Sequence, residues 1–141
     1  LFAYYVDSPN YVQSNSISKS MMDYLVTTRV EQVNNPKVEE LIAFDIITDQ
    51  KASLLTSFGH LYQRHVDKEL EELIEAVTTD QNLVPVPFEF AVRINQSLVY
   101  NSSNISQIPE DRTVIPTKQI VMGLTREKDV WGPYIAEVIV W

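Results

Sequence analysis

The spacing of apolar residues changes once along the chain, and this change constrains the fold more than any other feature. Over residues 54–77 apolar side chains recur three and four positions apart, which predicts one or two amphipathic helices within residues 50–78. Over residues 88–94 they occupy every second position, which is typical of a strand with one buried face. We therefore expect one α+β domain spanning residues 1–141, with N-terminal helices packed on one face of an antiparallel sheet of about four strands.

Weaker signals divide the N-terminal part of the chain. Helical spacing predicts a helix over residues 21–33, with Ser18 or Ser20 as its N-cap. Pro36 can begin a second, short helix because its missing N–H is not needed at that position. Residues 43–48 are apolar and β-branched, so a strand and a continued helix both stay open there.

Two features refine the longer helical segment. Thr48 or Asp49 is the predicted cap at its start. Gly59 lies inside it, at a cost of about 1 kcal/mol relative to alanine. A glycine there permits either a bend in the helix or close packing against a neighbour.

The C-terminal part predicts the strands of the sheet. Residues 95–96 are Asn-Gln and form a tight turn, so residues 88–101 are expected to be a β-hairpin. A third strand is predicted over residues 118–124 and the last over residues 134–141. The Trp-Gly-Pro sequence at residues 131–133 predicts a turn before this last strand.

The composition excludes several classes of function. The chain has no cysteine, which excludes a disulfide framework, a thiolate nucleophile and a cysteine zinc site. Its three glycines form no phosphate-binding loop. The formal net charge of −8 argues against nucleic acid and against electrostatic docking on an anionic membrane. We expect no cofactor, no metal and no nucleic-acid partner.

Histidines and carboxylates are the remaining candidates for chemistry. His60 and His65 are five positions apart, so on a helix they cannot ligate the same metal ion. Asp45 and Asp49, together with His60, are the groups that an enzyme, such as a small hydrolase, would use. None of them belongs to a catalytic motif, and helix capping explains Asp49 more simply. We predict that the chain is not an enzyme and assign no catalytic residue.

Three N-x-[ST] sequons lie within 12 residues, at Asn95, Asn101 and Asn104. A sequon accepts an N-glycan only on a chain that enters a glycosylating compartment. Asn and Ser also favour turns, which is the alternative explanation of the same residues. We interpret the cluster as a sign of an extracytoplasmic domain, with these three asparagines as glycosylation candidates.

Four large aromatic residues lie near the predicted strand ends, namely Tyr100, Trp131, Tyr134 and Trp141. Trp and Tyr dominate the contact hot spots of proteins, so these side chains are candidates for binding a sugar or a partner protein. The alternative is that they seal the edge of a small core.

The chain opens on an apolar and aromatic stretch. Residues 1–6 read Leu-Phe-Ala-Tyr-Tyr-Val, and aromatic residues concentrate where a membrane span meets water. We interpret residues 1–8 as the remnant of a membrane-anchor helix that lies outside this chain. The alternative is an ordinary first strand or helix end that packs on the core.

In its order of elements the chain resembles the ectodomains of archaeal pilin-like and signal-anchored surface proteins. The resemblance rests on the helical segment 54–62, on the hairpin sequence Val99-Tyr100-Asn101-Ser102-Ser103, and on Trp131-Gly132-Pro133-Tyr134 leading into Val138-Ile139-Val140-Trp141. It implies anchoring at the cell surface by an N-terminal helix and a role in assembly or adhesion. The implied partners are other surface proteins or further copies of the chain.

Two alternatives to this interpretation stay open. The first is an extracytoplasmic ligand-binding or sensory domain, whose small ligand would occupy a pocket between the helix of residues 50–78 and the sheet. The second is the small hydrolase described above.

Overall fold

The computed structural model describes residues 2–103, 108 and 114–141, with only the backbone described over residues 2–12. Four α-helices precede the sheet: α1 Phe2–Thr27, α2 Pro36–Ala43, α3 Leu54–Gln63 and α4 Asp67–Asp80. A short 3-10 helix, Val30–Gln32, lies between α1 and α2. The strands are β1 Phe90–Ile94, β2 Ser97–Asn101, β3 Thr117–Leu124 and β4 Val130–Val140.

The strands form one antiparallel sheet in the order β2-β1-β4-β3. Helices α1 and α3 contact β3 and β4, and α4 contacts β2. The predicted α+β fold, with N-terminal helices packed on one face of a four-stranded antiparallel sheet, is confirmed.

The core lies between the helices and the inner face of the sheet. Val92 of β1 and Val138 of β4 are directly paired and fully buried. Phe58 and Leu61 of α3 and Leu25 of α1 are buried above them. Burial of each such side chain contributes about 1.5–3 kcal/mol to stability.

Helix α1 begins much earlier than the helix predicted over residues 21–33. Ser18 and Ser20 therefore lie inside the helix, and the prediction that one of them is its N-cap is wrong. Ser18 is 1% exposed, and its hydroxyl donates to the Asn15 carbonyl oxygen at 2.9 Å. It also shares a hydrogen bond of 2.7 Å with the hydroxyl of Thr117. These contacts let a polar residue remain within a buried helical turn.

The backbone of residues 2–8, within the predicted membrane-anchor remnant, belongs to helix α1. The side chains of that segment lie outside the described residues. Within the part of the chain that the structure describes, no helix is long and apolar enough to cross a membrane.

The helical segment predicted over residues 50–78 is divided into two helices, α3 and α4. The division falls at His65, which has a φ of 60°, and not at Gly59. Gly59 lies inside α3 and packs closely against another side chain, which is the second of the two possibilities considered for it.

The start of α3 differs from the prediction by a few residues. Ser53 is the N-cap, because its side-chain oxygen accepts a hydrogen bond from the Thr56 amide at 3.1 Å. The predicted caps Thr48 and Asp49 lie in the preceding connection, where the Asp49 carboxylate accepts from the Lys51 amide. Asp49 thus stabilises a local turn rather than the helix.

The connection from α2 to α3 spans residues 44–53 and contains neither a helix nor a strand. Helix α2 ends at Ala43, and Asp45 follows with a φ of 61°. Of the two alternatives for residues 43–48, a continued helix therefore holds for Ala43 only, and a strand does not form. A left-handed residue close behind a helix is a common way of ending it.

The β1–β2 hairpin is confirmed. Asn95 and Gln96 have φ values of 53° and 68°, and they connect the paired residues Ile94 and Ser97. Two positive φ angles in a two-residue loop define a type I′ turn, whose twist matches that of the strands.

Strand β4 begins before the predicted turn at residues 131–133, so that prediction is wrong. Gly132 and Pro133 together lie opposite the single residue Met122 of β3, which is a bulge. Gly132 has a φ of 85°, and a Cβ atom there would lie 2.9 Å from the Val121 carbonyl oxygen. Only glycine fits this position, and the Gly-Pro pair bends the strand instead of ending it.

Candidate functional site

A cleft opens between α3, the connection of residues 44–53 and the β3–β4 hairpin. It has an inner compartment of about 300 Å³ and an adjoining outer compartment of about 510 Å³. Thr48, His60 and Trp131 line both compartments. We call it the His60 cleft, and its volume is in the range of small-molecule sites.

Trp131 forms the floor of the His60 cleft and is only 4% exposed. Its indole ring lies between two glycines, Gly59 of α3 and Gly123 of β3. A Cβ atom would come within 2.8 Å of the ring at Gly59 and within 2.6 Å at Gly123. The His60 ring stacks on the indole, with 6.0 Å between centroids and 8° between planes. The two glycines therefore create the space that the indole fills.

The electrostatic surroundings of His60 favour its neutral form. Burial lowers the pKa of His60 below its ordinary value, and the positive charge of Arg64 acts in the same direction. Arg126 adds to this lowering of the pKa, whereas Asp49 opposes it. We expect a neutral imidazole at pH 7.

Two arginines lie in the outer compartment and connect its walls. Arg64, at the end of α3, donates from Nη1 to the Ile46 carbonyl oxygen at 2.6 Å. Arg126, on the β3–β4 hairpin, forms an ion pair with Asp45. These contacts hold the connection of residues 44–53 against both α3 and the hairpin.

The residues considered for catalysis lie around this cleft. Asp45, Asp49 and His60 line it, and His65 lies in the exposed turn after α3. Among the described residues, no hydrogen bond or ion pair joins His60 to either aspartate. Nor does any group of three or more histidine and carboxylate side chains in residues 2–103, 108 and 114–141 form a candidate metal site.

The four aromatic candidates do not form one cluster. Trp131 and Tyr134 stack with 6.0 Å between centroids. Tyr100, on the edge strand β2, stacks on Phe90 with 5.1 Å between centroids, on the same face of the sheet as Trp131 but apart from it. Trp141 follows β4 and is half-buried. Since Trp131 is almost fully buried, its main contacts are within the core.

The sequon asparagines occupy different positions. Asn95 is exposed at the tip of the β1–β2 turn. Asn101 ends β2 and is half-buried, and its side-chain oxygen accepts a hydrogen bond from the Ser103 amide at 2.9 Å. Asn104 lies outside the described residues. Of the described pair, Asn95 offers the more accessible acceptor for a glycan.

The sheet face turned away from the helices is a second candidate surface, which we call the outer face. Its exposed apolar side chains come from β2, β3 and β4, and each is between 50% and 69% exposed: Leu98, Ile120, Met122, Leu124, Val130 and Ile135. Ala91 and Ile139, which pair on the same face, are buried. Ile120 pairs with Ile135 across the strands, and Leu124 with Val130. Directly paired side chains lie on the same face, so the five residues of β3 and β4 form a continuous strip. Leu98 lies apart from it on β2, where it pairs with Arg93.

One row of charged residues crosses the outer face beside this strip. Glu137 of β4 pairs with Arg93 of β1 on one side and Lys118 of β3 on the other. Both cations lie 3.8 Å from the Glu137 carboxylate. The row thus has two cations and one anion, although the whole chain has a net charge of −8.

Sequence reasoning singled out neither the outer face nor the two arginines. A signal for the outer face was present, because the apolar run over residues 120–124 is typical of a strand with apolar residues on both faces. No signal marked Arg64 and Arg126, since they lie far apart in the sequence and in different elements.

No family model matches this chain, and comparisons with curated proteins and with solved structures find no significant match. The resemblance to pilin-like and signal-anchored surface proteins therefore stays a prediction. Function has to be argued from the geometry of the two surfaces described above, because a fold class alone implies no function.

Proposed function

We propose that this chain is a non-enzymatic interaction domain that acts outside the cell, at the cell surface or after secretion. Its role would be structural or adhesive, as the resemblance to pilin-like and signal-anchored surface proteins implies. The observation that supports this proposal best is the apolar strip of the outer face. A contiguous exposed apolar patch is typical of a surface that contacts another macromolecule.

The partner that fits the outer face is a second copy of the chain. Two copies with a charge of −8 each repel one another. Exposed acidic residues such as Glu71 and Glu75 of α4 belong to the helix layer, on the opposite side of the sheet. A contact between two outer faces keeps these acidic surfaces apart and brings together faces whose charged row has no excess of negative charge.

The size of the patch favours a reversible association. The largest apolar patch of an ordinary monomer covers about 300–600 Å², and the strip consists of only five partly exposed side chains. A standard interface needs about 800 Å² from each partner. We therefore expect a weak two-fold contact, which becomes important where many copies are held close together.

Sedimentation velocity over about a hundredfold range of protein concentration tests this contact. The sedimentation coefficient of the wild-type chain should rise with concentration. In the double variant Ile120→Thr/Ile135→Thr it should stay at the value of the monomer. Threonine keeps the β-branched shape that suits a strand, so the fold should persist.

Phe44→Ser is the matched control. Phe44 is 71% exposed at the end of α2 and lies away from the outer face. This variant should associate as the wild type does. A wild-type chain that stays monomeric at every concentration, or a double variant that associates like the wild type, contradicts the proposed contact.

The location outside the cell has a separate test, which is the intact mass of the protein purified from its native cells. We expect the measured mass to exceed that of the unmodified polypeptide. The excess should disappear in the variant Asn95→Gln, because Asn95 is the exposed acceptor. If the native protein has the mass of the unmodified polypeptide, it carries no glycan, and that part of the proposal is wrong. Recovery of the protein in the cytosolic fraction contradicts the proposed location itself.

A further inference from the structure

We propose that the His60 cleft is a binding site for a small organic monocarboxylate with an apolar tail. The carboxylate would lie at Arg64 in the outer compartment, and the tail would enter the inner compartment beside Trp131. The cleft adjoins the outer face, because Leu124 and Val130 belong to both. Its ligand would be held at Arg64 and Trp131, which are not on the outer face, so binding does not require self-association.

Arg64 is suited to hold the carboxylate. Its side chain is exposed, and its guanidinium donates from Nη1 to the Ile46 carbonyl oxygen, which uses one of its five N–H donors. Among the described residues no carboxylate forms an ion pair with Arg64, whereas Arg126 beside it is already paired with Asp45. A ligand carboxylate would compensate the charge of Arg64 and accept its remaining donors.

The inner compartment is suited to hold an apolar tail. Ile46, Ile47, Leu61, Leu124 and Trp131 line it, and its volume is about 300 Å³. A chain of a few carbon atoms fits this space and is removed from water there.

The acidic residues of the cleft limit the ligand to one carboxylate. Asp49 lines the inner compartment, where the tail would end. The outer compartment has Asp45, Glu127 and Asp129 in its lining. Asp45 is paired with Arg126, so Arg64 alone among the described residues is left to attract a ligand carboxylate there. A second negative charge at the end of the tail would approach Asp49 and be repelled. The arrangement therefore selects a monocarboxylate over a dicarboxylate of the same length.

His60 lies where the two compartments meet and would report on the bound ligand. A carboxylate bound beside the imidazole stabilises its protonated form and raises the pKa of His60. Because His60 stacks on Trp131, resonances of both side chains should respond to an occupied cleft.

Titration with hexanoate, followed by NMR, tests the site. Hexanoate should shift the resonances of His60 and the indole N–H of Trp131 in a saturable way, and it should raise the pKa of His60. Two matched probes complete the experiment: hexanamide has the same tail without the charge, and adipate has a second carboxylate. Both should bind at least about tenfold more weakly than hexanoate.

Variants of Arg64 test where the carboxylate lies. Arg64→Gln should weaken hexanoate binding about tenfold, and Arg64→Lys should restore part of the loss because it retains the charge. Arg29→Gln is the control, since Arg29 pairs with Glu31 and lines neither compartment. Absence of saturable shifts at His60 and Trp131, equal binding of hexanamide or adipate, or unchanged affinity in Arg64→Gln overturns the proposal.

Discussion

Strand β4 presents apolar side chains to both faces of the sheet, and Val138 and Ile135 have opposite surroundings, although Ile139, on the same face as Ile135, is buried. Val138 is fully buried on the inner face, beneath the helices that contact β4. Ile135, three positions earlier in the same strand, is 50% exposed on the outer face. Both residues are β-branched and suit a strand equally well. The difference lies in what packs against them.

The same contrast holds for pairs of residues. Val92 and Val138 form a buried cross-strand pair, whereas Ile120 and Ile135 form an exposed one. The buried pair stabilises the fold through the apolar area that it removes from water. The exposed pair contributes much less to folding, and its apolar area remains available for a contact with another molecule.

The largest expected difference between the faces follows from placing a charge on each. Val138→Asp buries a carboxylate without a partner, at a cost of several kcal/mol, which is comparable with the whole stability of a domain of about 5–15 kcal/mol. We expect this variant, and Val92→Asp for the same reason, to lose the cooperative thermal transition in circular dichroism.

Ile135→Asp is the matched control on the outer face of the same strand. Its carboxylate reaches water, so the cost should stay near or below about 1 kcal/mol and the thermal transition should persist. A folded Val138→Asp variant with the melting temperature of Ile135→Asp would mean that the two faces are wrongly assigned.

Local patterns were sufficient to predict much of the fold. The β1–β2 hairpin depends on its two-residue turn, and Asn95 and Gln96 adopt the positive φ angles that the turn requires. The predictions failed where a distant residue decides the structure. Ser18 can lie inside α1 because Thr117, on β3, shares a hydrogen bond with it. Strand β4 continues through Gly132 because Gly132 and Pro133 form a bulge opposite Met122 of the neighbouring strand β3.

The candidate site was less predictable than the fold. Asp49 and His60 were recognised as chemical groups, and the structure places both at one cleft. Arg64 was not recognised, because only the folded chain brings it to the mouth of that cleft. The space for Trp131 likewise depends on Gly59 and Gly123, which belong to a helix and a strand far apart in the sequence.

A smaller difference in stability is expected between substitutions at two neighbouring residues of β3, Gly123 on the inner face and Met122 on the outer face. Gly123→Ala places a Cβ atom 2.6 Å from the indole of Trp131, which is confined on its other side by Gly59. Overpacking of this kind costs about 1–3 kcal/mol. Urea denaturation should therefore show reduced stability, and the indole N–H resonance of Trp131 should shift because the ring has to move.

Met122→Ala is the control for this substitution, because Met122 is 52% exposed on the outer face. Its removal should cost no more than about 0.5 kcal/mol and leave the indole resonance in place. Full stability in Gly123→Ala would contradict the close packing of Trp131 between the two glycines. An equal loss in both variants would contradict the distinction between the faces, since the outer face would then contribute to folding as the inner face does.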